Sequence, residues 1–473
     1  MKGATEPVVG RAPFTLGEVA EVTGGRLVGG TAEQRVRGVA IDSRRVVPGV
    51  LFVALRGARH DGHDFLEQAA RGGAAAAVVE RGRRLEALPC IEVDAPLEAL
   101  GLLAARHRRR WGGRLVAVTG SVGKTTTKEA VARALAADGT SVLATAGNLN
   151  NLVGLPLTLL ALEAERAAVV ELGADRPGEI AALARIASPD VGVVTAVSEA
   201  HLGGFGSLRT VAAEKGALFG ALGEQGAAVL SEQAEAARPF FEASRAARKV
   251  RYGRAADCPV RLLRFALTPE GRTLYEVEVA GQRLAAETSL LGEPGARAVA
   301  AAVAVAHLEG RPLGALAAAL REVALPPGRL RLRRTRKGPW VLDDAYNASP
   351  ASMEAALRTL GGIAALRGAR PVAVLGDMLE LGEQSAALHE RVARAAAEQG
   401  VGLLVAVGER MGRAAAPLAA RGLRVVLAGD ATAARAALGS ELRAGDLVLV
   451  KASRALGLED LAEALVGGAE VEG

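Results

Sequence analysis

Apolar positions along this chain fall into two repeating patterns: short unbroken runs rich in β-branched residues, and longer stretches in which apolar residues return every third or fourth position. The runs predict buried strands and the stretches predict helices. Residues 115–119, 167–171 and 191–197 read as strands with helices over 125–137 and 178–186 between them, the alternation of a parallel sheet with crossover helices. Residues 250–290 instead alternate polar and apolar side chains (Leu274, Glu276, Glu278), which predicts antiparallel strands on the edge of that sheet; a long Ala-rich helix over 297–308 follows. Leu325-Pro326-Pro327-Gly328 breaks the pattern. Beyond it, strands over 340–343, 371–375, 403–407 and 447–450 interleave with helices over 352–360 and 385–399. Ahead of all this, residues 14–110 carry short strands, Gly-rich turns and Ala-rich helices, such as a strand at 51–55 and a helix at 64–71. The expected class is α/β with three domains: a small α/β unit over 1–111, a central domain with a mostly parallel sheet over 112–325, and a Rossmann-like doubly wound domain over 326–473.

The length of 473 residues fits this division, since a domain takes roughly 150 residues. Although 50% of residues are hydrophobic, apolar runs such as 298–306 fall far short of the roughly 20 residues that span a bilayer, so membrane insertion is not expected. Residues 1–13 show neither an apolar export core nor a small-residue cleavage site, which predicts a cytoplasmic protein. Cys90 and Cys258 are too few and too far apart for a disulfide framework or a zinc site and read as small buried hydrophobes. The net charge of +6 rests almost wholly on arginine, clustered at 106–110 and 329–336. With 3% aromatics and no recognisable nucleic-acid-binding motif, it points to solvated helix faces or an anionic small molecule, not to nucleic acid. Against this arginine background the few lysines stand out: Lys2, Lys124, Lys128, Lys215, Lys249, Lys337 and Lys451.

Between the strand at 115–119 and the helix that follows lies Thr119-Gly120-Ser121-Val122-Gly123-Lys124-Thr125-Thr126-Thr127. Glycines let backbone N–H groups close around phosphate oxygens at the positive end of a helix, Lys124 can reach terminal phosphates, and a Thr hydroxyl can ligate Mg²⁺. The strict phosphate-loop pattern requires glycine where this chain has Val118. A bland glycine turn would account for the glycines but leaves Lys-Thr-Thr unexplained, so nucleotide binding is expected in a P-loop-like ATPase domain.

The shorter form Gly-x-x-Gly-Lys-Thr-Thr resembles that of the Mur ligase family, and the resemblance extends over nearly the whole chain. Asp42-Ser43-Arg44, Pro48-Gly49-Val50-Leu51-Phe52-Val53-Ala54-Leu55 and Asp61-Gly62-His63-Asp64 are similar to the family's UDP-binding N-terminal domain. Gly147-Asn148-Leu149-Asn150-Asn151 with Gly154-Leu155-Pro156, Glu171-Leu172-Gly173 with Gly178-Glu179-Ile180, and Ala200-His201-Leu202 with Lys215-Gly216 match its central domain. Asp343-Asp344-Ala345-Tyr346-Asn347 with Pro350, and Gly376-Asp377-Met378-Leu379-Glu380-Leu381-Gly382, look like the signatures of the members that add D-alanyl-D-alanine.

The resemblance implies a ligase acting on UDP-N-acetylmuramoyl-tripeptide and D-alanyl-D-alanine, in which ATP activates a carboxylate that is by itself a poor electrophile. It implies a monomer, an acyl phosphate intermediate, and a protein whose task is positioning and charge neutralisation. Gly120, Ser121, Val122, Gly123, Lys124, Thr125 and Thr126, with Arg329 and Asp344, would hold ATP. Thr125, Glu171, His201 and a carbamylated Lys215 would hold Mg²⁺, and Lys124, Lys215 and His201 would carry the chemistry. Ser43, Arg44, Asn148, Asn151, Tyr346, Asn347, Asp377, Ser453 and Arg454 would bind substrate, Arg454 by meeting the dipeptide carboxylate, with Asp377 or Glu380 near its amine.

Each has a duller reading: Glu171 as a helix cap or ion-pair partner, His201 as an ordinary hydrogen-bonded residue, Lys215 as an exposed helix lysine, Arg329 as a solvated arginine, Ser453-Arg454 as a helix start. His60, His63, His107, His307 and His389 receive no chemistry. The chain also departs from the family: Gly295 and Ala298 stand where relatives carry the Asn pair that reads adenine, with Ala196, Ser198, Ala217 and Ser349 at other usually different positions. Competing readings are a diaminopimelate- or lysine-adding ligase, whose Asp-Asn-Pro-Arg signature is missing, a folate polyglutamate ligase, which lacks the Asp42-Ser43-Arg44 unit, and a P-loop regulatory protein that joins nothing.

Overall fold

The computed structural model describes residues 11–200, 202–335 and 338–467, and within them the apolar runs become the strands of three main sheets. In the first unit the strand order is Arg26–Val28, Cys90–Val93, Ala76–Glu80, Leu51–Val53, Val39–Ala40, parallel except for the pair Arg26–Val28 and Cys90–Val93. Helix α1 (Pro96–Trp111) leads out of it, opened by a proline in its first turn and stopped by Gly112 at φ 71°. Its buried Ala99, Leu100, Leu103 and Ala104 face helices Gly154–Leu160 and Glu179–Ala187 of the central unit. Arg108 on this helix is buried and donates to the carbonyls of Ala187 (3.2 Å) and Ser188 (3.3 Å) and to Asp190 Oδ2 (2.8 Å), which also accepts from the Leu115 N–H. A buried guanidinium needs this full set of acceptors, and here they all belong to the neighbouring unit.

The central sheet runs in the order Gln282–Thr288, Thr273–Val279, Val260–Leu267, Arg248–Gly253, Ala227–Ser231, Val191–Val194, Arg114–Thr119, Ala167–Glu171, Val142–Ala144. Its strands are parallel apart from the three-stranded antiparallel edge over 260–288, as the alternating pattern there predicts. From Arg114–Thr119 the chain passes through α2 (Lys124–Leu135) toward one edge, then crosses back at Val191–Val194 to the other side. The crevice at such a reversal, beyond the carboxyl ends of the strands, is where open α/β sheets take ligands. Helix α3 (Gly292–Leu308) packs its Ala-rich body against α2. It begins five residues before the expected 297, because Pro294 lies in the first turn, where its missing N–H leaves no bond unmade.

The third sheet has the order Arg331–Arg334, Trp340–Asp343, Leu447–Lys451, Pro371–Gly376, Leu403–Val407, Arg424–Ala428, parallel except at Arg331–Arg334. Helices α4 (Pro350–Arg367), α5 (Ser385–Glu398) and α6 (Glu409–Ala419) cover it; α4 runs well past the expected 360, through Gly361 and Gly362. The expected α/β class with three units is what the chain adopts. Both cysteines are buried and free. Among the described residues no helix is long and apolar enough to cross a membrane.

Candidate functional site

A cleft of about 760 Å³ opens at the carboxyl ends of the central strands and is walled on its far side by the third unit. Its floor is the glycine loop. Gly120 sits at φ 147°, and a Cβ there would lie 2.1 Å from Thr195 Oγ1, so only glycine lets the loop pass that strand end. Thr195 Oγ1 in turn donates to the Val122 carbonyl (2.6 Å), and the Ser121 N–H donates to the Ala196 carbonyl (2.8 Å). The loop thus turns into α2 with Ser121, Val122, Gly123, Lys124, Thr125 and Thr126 facing the cleft. Lys124 folds back to donate to the Gly120 carbonyl at 2.8 Å, and burial pushes its ammonium below the ordinary range.

Glu171 ends the adjacent strand with its carboxylate aimed at this loop: Oε2 accepts from Thr125 Oγ1 and Oε1 from Asn150 Nδ2, both at 2.8 Å. Its own N–H is held by Thr145 Oγ1, and the Thr145 carbonyl accepts from the buried Lys128. Lys215 enters from the helix Leu208–Gly220, which is oriented by Glu214 accepting the Gly178 and Ile180 N–H groups at 2.7 and 2.6 Å. Only 2% exposed, the Lys215 amine makes one long contact, 3.5 Å to the Ala174 carbonyl, and lies 5.4 Å from the Phe205 ring centroid. Burial, with Lys124 nearby, pushes it down to about 7. His201 lies outside the described residues. Among the described residues no group of three or more His, Cys, Asp and Glu side chains forms a metal cage; the expected set relies on a threonine and a modified lysine as well.

The opposite wall comes from the third unit and the linker to it. Arg329 stacks on Tyr346, its Cζ 3.8 Å from the ring centroid, and Arg454 approaches the same ring at 5.3 Å. The linker is stitched down by two carboxylates: Asp343 Oδ2 accepts the Gly328 N–H and Asp344 Oδ1 the Leu330 N–H, each at 3.0 Å. Lys451 Nζ donates to the Asn347 carbonyl and pairs with Asp344, whose carboxyl burial pushes up against the opposing pull of that lysine. Asn148, Asn151, Asn347, Ser453 and Glu380 also line the cleft.

Three residues expected to bind substrate do not line this cleft, two of them, Ser43 and Arg44, because they belong to the unit expected to take the UDP moiety. Asp377 turns away from the cleft and accepts the Met411 N–H (2.7 Å) at the start of α6. Ser43 and Arg44 lie in the first unit, where Ser43 donates to Gln68 and Arg44 is paired with Asp42. His389, given no chemistry from sequence, holds the cleft-lining loop that follows Pro371–Gly376. Its Nε2 accepts the Met378 N–H at 2.9 Å, and Nδ1 donates to the Ser385 carbonyl at 2.6 Å, so the buried ring is neutral. The next N–H, of Leu379, donates to Ser453 Oγ. No local pattern marks His389, because Met378 reaches it through the tertiary fold.

Three family descriptions match the chain: Mur ligase middle domain over 118–306, Mur ligase, glutamate ligase domain over 328–454, and Mur ligase family, catalytic domain over 35–108. The UDP-N-acetylmuramoyl-tripeptide–D-alanyl-D-alanine ligase of Escherichia coli K12 is 37% identical over 84% of this chain and 86% of its own. A crystal structure of MurF from Acinetobacter baumannii superposes with a TM-score of 0.86 at 28% identity, covering 98% of this chain and 100% of that one. MurF from Thermotoga maritima in complex with ADP gives a TM-score of 0.79 at 29% identity, covering 91% and 97%.

Proposed function

The chain belongs to the Mur ligase family, and from that footing we propose how its cleft joins D-alanyl-D-alanine to UDP-N-acetylmuramoyl-tripeptide with ATP. The observation that carries the reading is the meeting, in one cleft, of a phosphate loop with its lysine Lys124, the buried carboxylate of Glu171, and a wall from the linker and the C-terminal domain that brings Arg329 and Arg454. A carboxylate is a poor electrophile, so its oxygen attacks the γ-phosphorus, ADP leaves, and an acyl phosphate results. The dipeptide amine then attacks the acyl carbon, the C–O bond to phosphate breaks, and the proton shed by nitrogen leaves the new amide.

The residues divide this work. The loop N–H groups and Lys124 hold the β- and γ-phosphates, with Lys124 exchanging the Gly120 carbonyl for phosphate oxygen. Arg329 and Tyr346 cover the nucleotide from the linker side, while Arg454 takes the dipeptide carboxylate and Glu380, which lines the cleft, faces its amine. Mg²⁺, when bound, would supply charge neutralisation between the phosphate and the incoming carboxylate. The side chains fit such an ion: Glu171 and Thr125 are already joined at 2.8 Å, and Lys215 is a buried amine with no short partner among the described residues. With its amine near 7, Lys215 is partly neutral at neutral pH. It can then attack CO₂ and lose a proton, forming an N–C bond and an anionic carbamate. His201 and Ser43 and Arg44 keep their expected roles, the first toward the metal and the others toward the UDP moiety. ATP and UDP precursors place the reaction in the cytoplasm.

The test is phosphate release from ATP by the full chain. Release that requires both UDP-N-acetylmuramoyl-tripeptide and D-alanyl-D-alanine supports the reading; release independent of both would instead make the protein an ATP-hydrolysing P-loop protein.

A further inference from the structure

Two segments from different domains meet at the rim of the cleft. Ala200 lines it from the central domain, and Leu379, Glu380 and Leu381 line it from the C-terminal domain. Among the described residues, two polar contacts join these parts of the two domains. Arg391 on α5 holds both carboxylate oxygens of Glu199, Nη1 to Oε1 at 3.4 Å and Nη2 to Oε2 at 3.3 Å, and this pairing keeps the Glu199 carboxyl below its ordinary range. The Gly203 N–H donates to the Glu380 carbonyl at 2.8 Å.

The backbone on both sides is built for this approach. Glu380 is held at φ 64°, a left-handed conformation that disfavours any residue with a side chain. That turn aims its carbonyl across the boundary, and a Cβ at position 203 would come within 3.3 Å of the same oxygen. Arg391 is oriented inside its own domain by Glu354, with Nε 2.8 Å from Oε1. One carboxylate thus aims the guanidinium, and the other is gripped across the domain boundary.

We propose that Glu199 and Arg391 are positioning residues for ligation: they latch the C-terminal domain onto the central domain at Glu199, next to the Gly203 contact, so that the closure delivering the dipeptide also seats the central domain's side of the cleft. The inference rests on the reading of the C-terminal domain as carrier of the dipeptide. Because the Glu199 and Arg391 side chains are 34% and 39% exposed, the latch is weak enough to release between turnovers and is screened by salt.

Steady-state kinetics of the full chain with three variants tests it. Glu199→Gln should raise the KM for D-alanyl-D-alanine by about threefold, the size expected of a partly exposed ion pair, while kcat and the KM for the UDP-tripeptide hold, and should flatten the salt dependence of that KM. Glu199→Lys, which repels Arg391, should raise it further. Glu354→Gln keeps both charges of the interdomain pair and only loosens the aim of Arg391, so it should change that KM by no more than about twofold. Small-angle scattering of the same proteins with ADP supplies a readout free of the chemistry, in which Glu199→Lys should be more expanded than wild type. An unchanged KM with unchanged scattering in Glu199→Lys would overturn the latch, as would equal rises in KM for all three substrates. If wild type itself releases no phosphate in response to the dipeptide, the functional reading fails instead, and scattering still decides the latch.

Discussion

Lys451 Nζ lies 2.6 Å from Asp344 Oδ2, so the carboxylate expected to hold ATP is already the partner of one of the chain's few lysines. Their side chains are 3% and 14% exposed. The pair ties the end of the strand Leu447–Lys451 to the loop that carries Tyr346 and Asn347, and through Asp344 Oδ1 to the linker at Leu330.

Lys451→Met should therefore destabilise the protein by about 3 kcal/mol, because it strands a buried carboxylate, whereas Asp344→Asn combined with Lys451→Met should recover part of that loss. Thermal unfolding of both variants measures it. A cost below about 1 kcal/mol for Lys451→Met would mean the pair behaves as an exposed one.

Arg454→Ala should raise the KM for D-alanyl-D-alanine at least tenfold, about 1.4 kcal/mol, with little change for ATP or the UDP-tripeptide. A fall in ATP affinity alone would assign Arg454, through its contact with Tyr346, to the nucleotide side of the cleft.

If the buried Lys215 amine is carbamylated as proposed, activity depends on CO₂. Activity should fall in bicarbonate-free buffer and return on adding bicarbonate, and Lys215→Ala should be inactive under both conditions. Full activity of the alanine variant removes any need for the modification.

His389 links stability to pH. Burial holds its folded value below the ordinary 6.5, so the unfolded chain takes up the proton first. The stabilisation is complete above 6.5 and is lost as pH falls from there toward the folded value. Urea midpoints at pH 7.5 and 5.5 should separate more for wild type than for His389→Gln, which cannot be protonated; equal separations would count against the assignment.

The nucleotide base should be read weakly. Pro294 and Gly295 line the cleft at the start of α3, and a Cβ at 295 would come 2.5 Å from the Leu290 carbonyl, so no side chain there can contact a base edge without a shift. Such hydrogen bonds are worth roughly 1 kcal/mol each, and GTP should support ligation within about tenfold of ATP. A much stronger preference for ATP would locate base recognition in backbone groups.

The sheets were legible in the sequence because buried parallel strands are nearly continuous apolar runs, as at Ala167–Glu171 and Leu403–Val407. Helix limits were less so: α3 starts among glycines and a proline that argue locally against a helix, α6 carries Pro417 in its interior, and Arg424–Ala428 is a half-exposed run of five residues; these and Ala431–Glu441 escaped prediction. In the site, the glycine loop announces itself because its backbone conformation dictates its residues. Asp377 and His389 do not, since what each carboxylate or ring touches is decided by elements distant in the chain.

The anchoring of Arg108 into the loop at 187–190 ties the first domain to the central one. A tie that keeps its span would act as a ruler. On the proposed reading, with the UDP end on one domain and the γ-phosphate on the next, the length of the peptide between them determines whether its carboxylate arrives. An acceptor one residue short would stop about 3.5 Å away, well beyond bonding reach, and would occupy the enzyme without being activated.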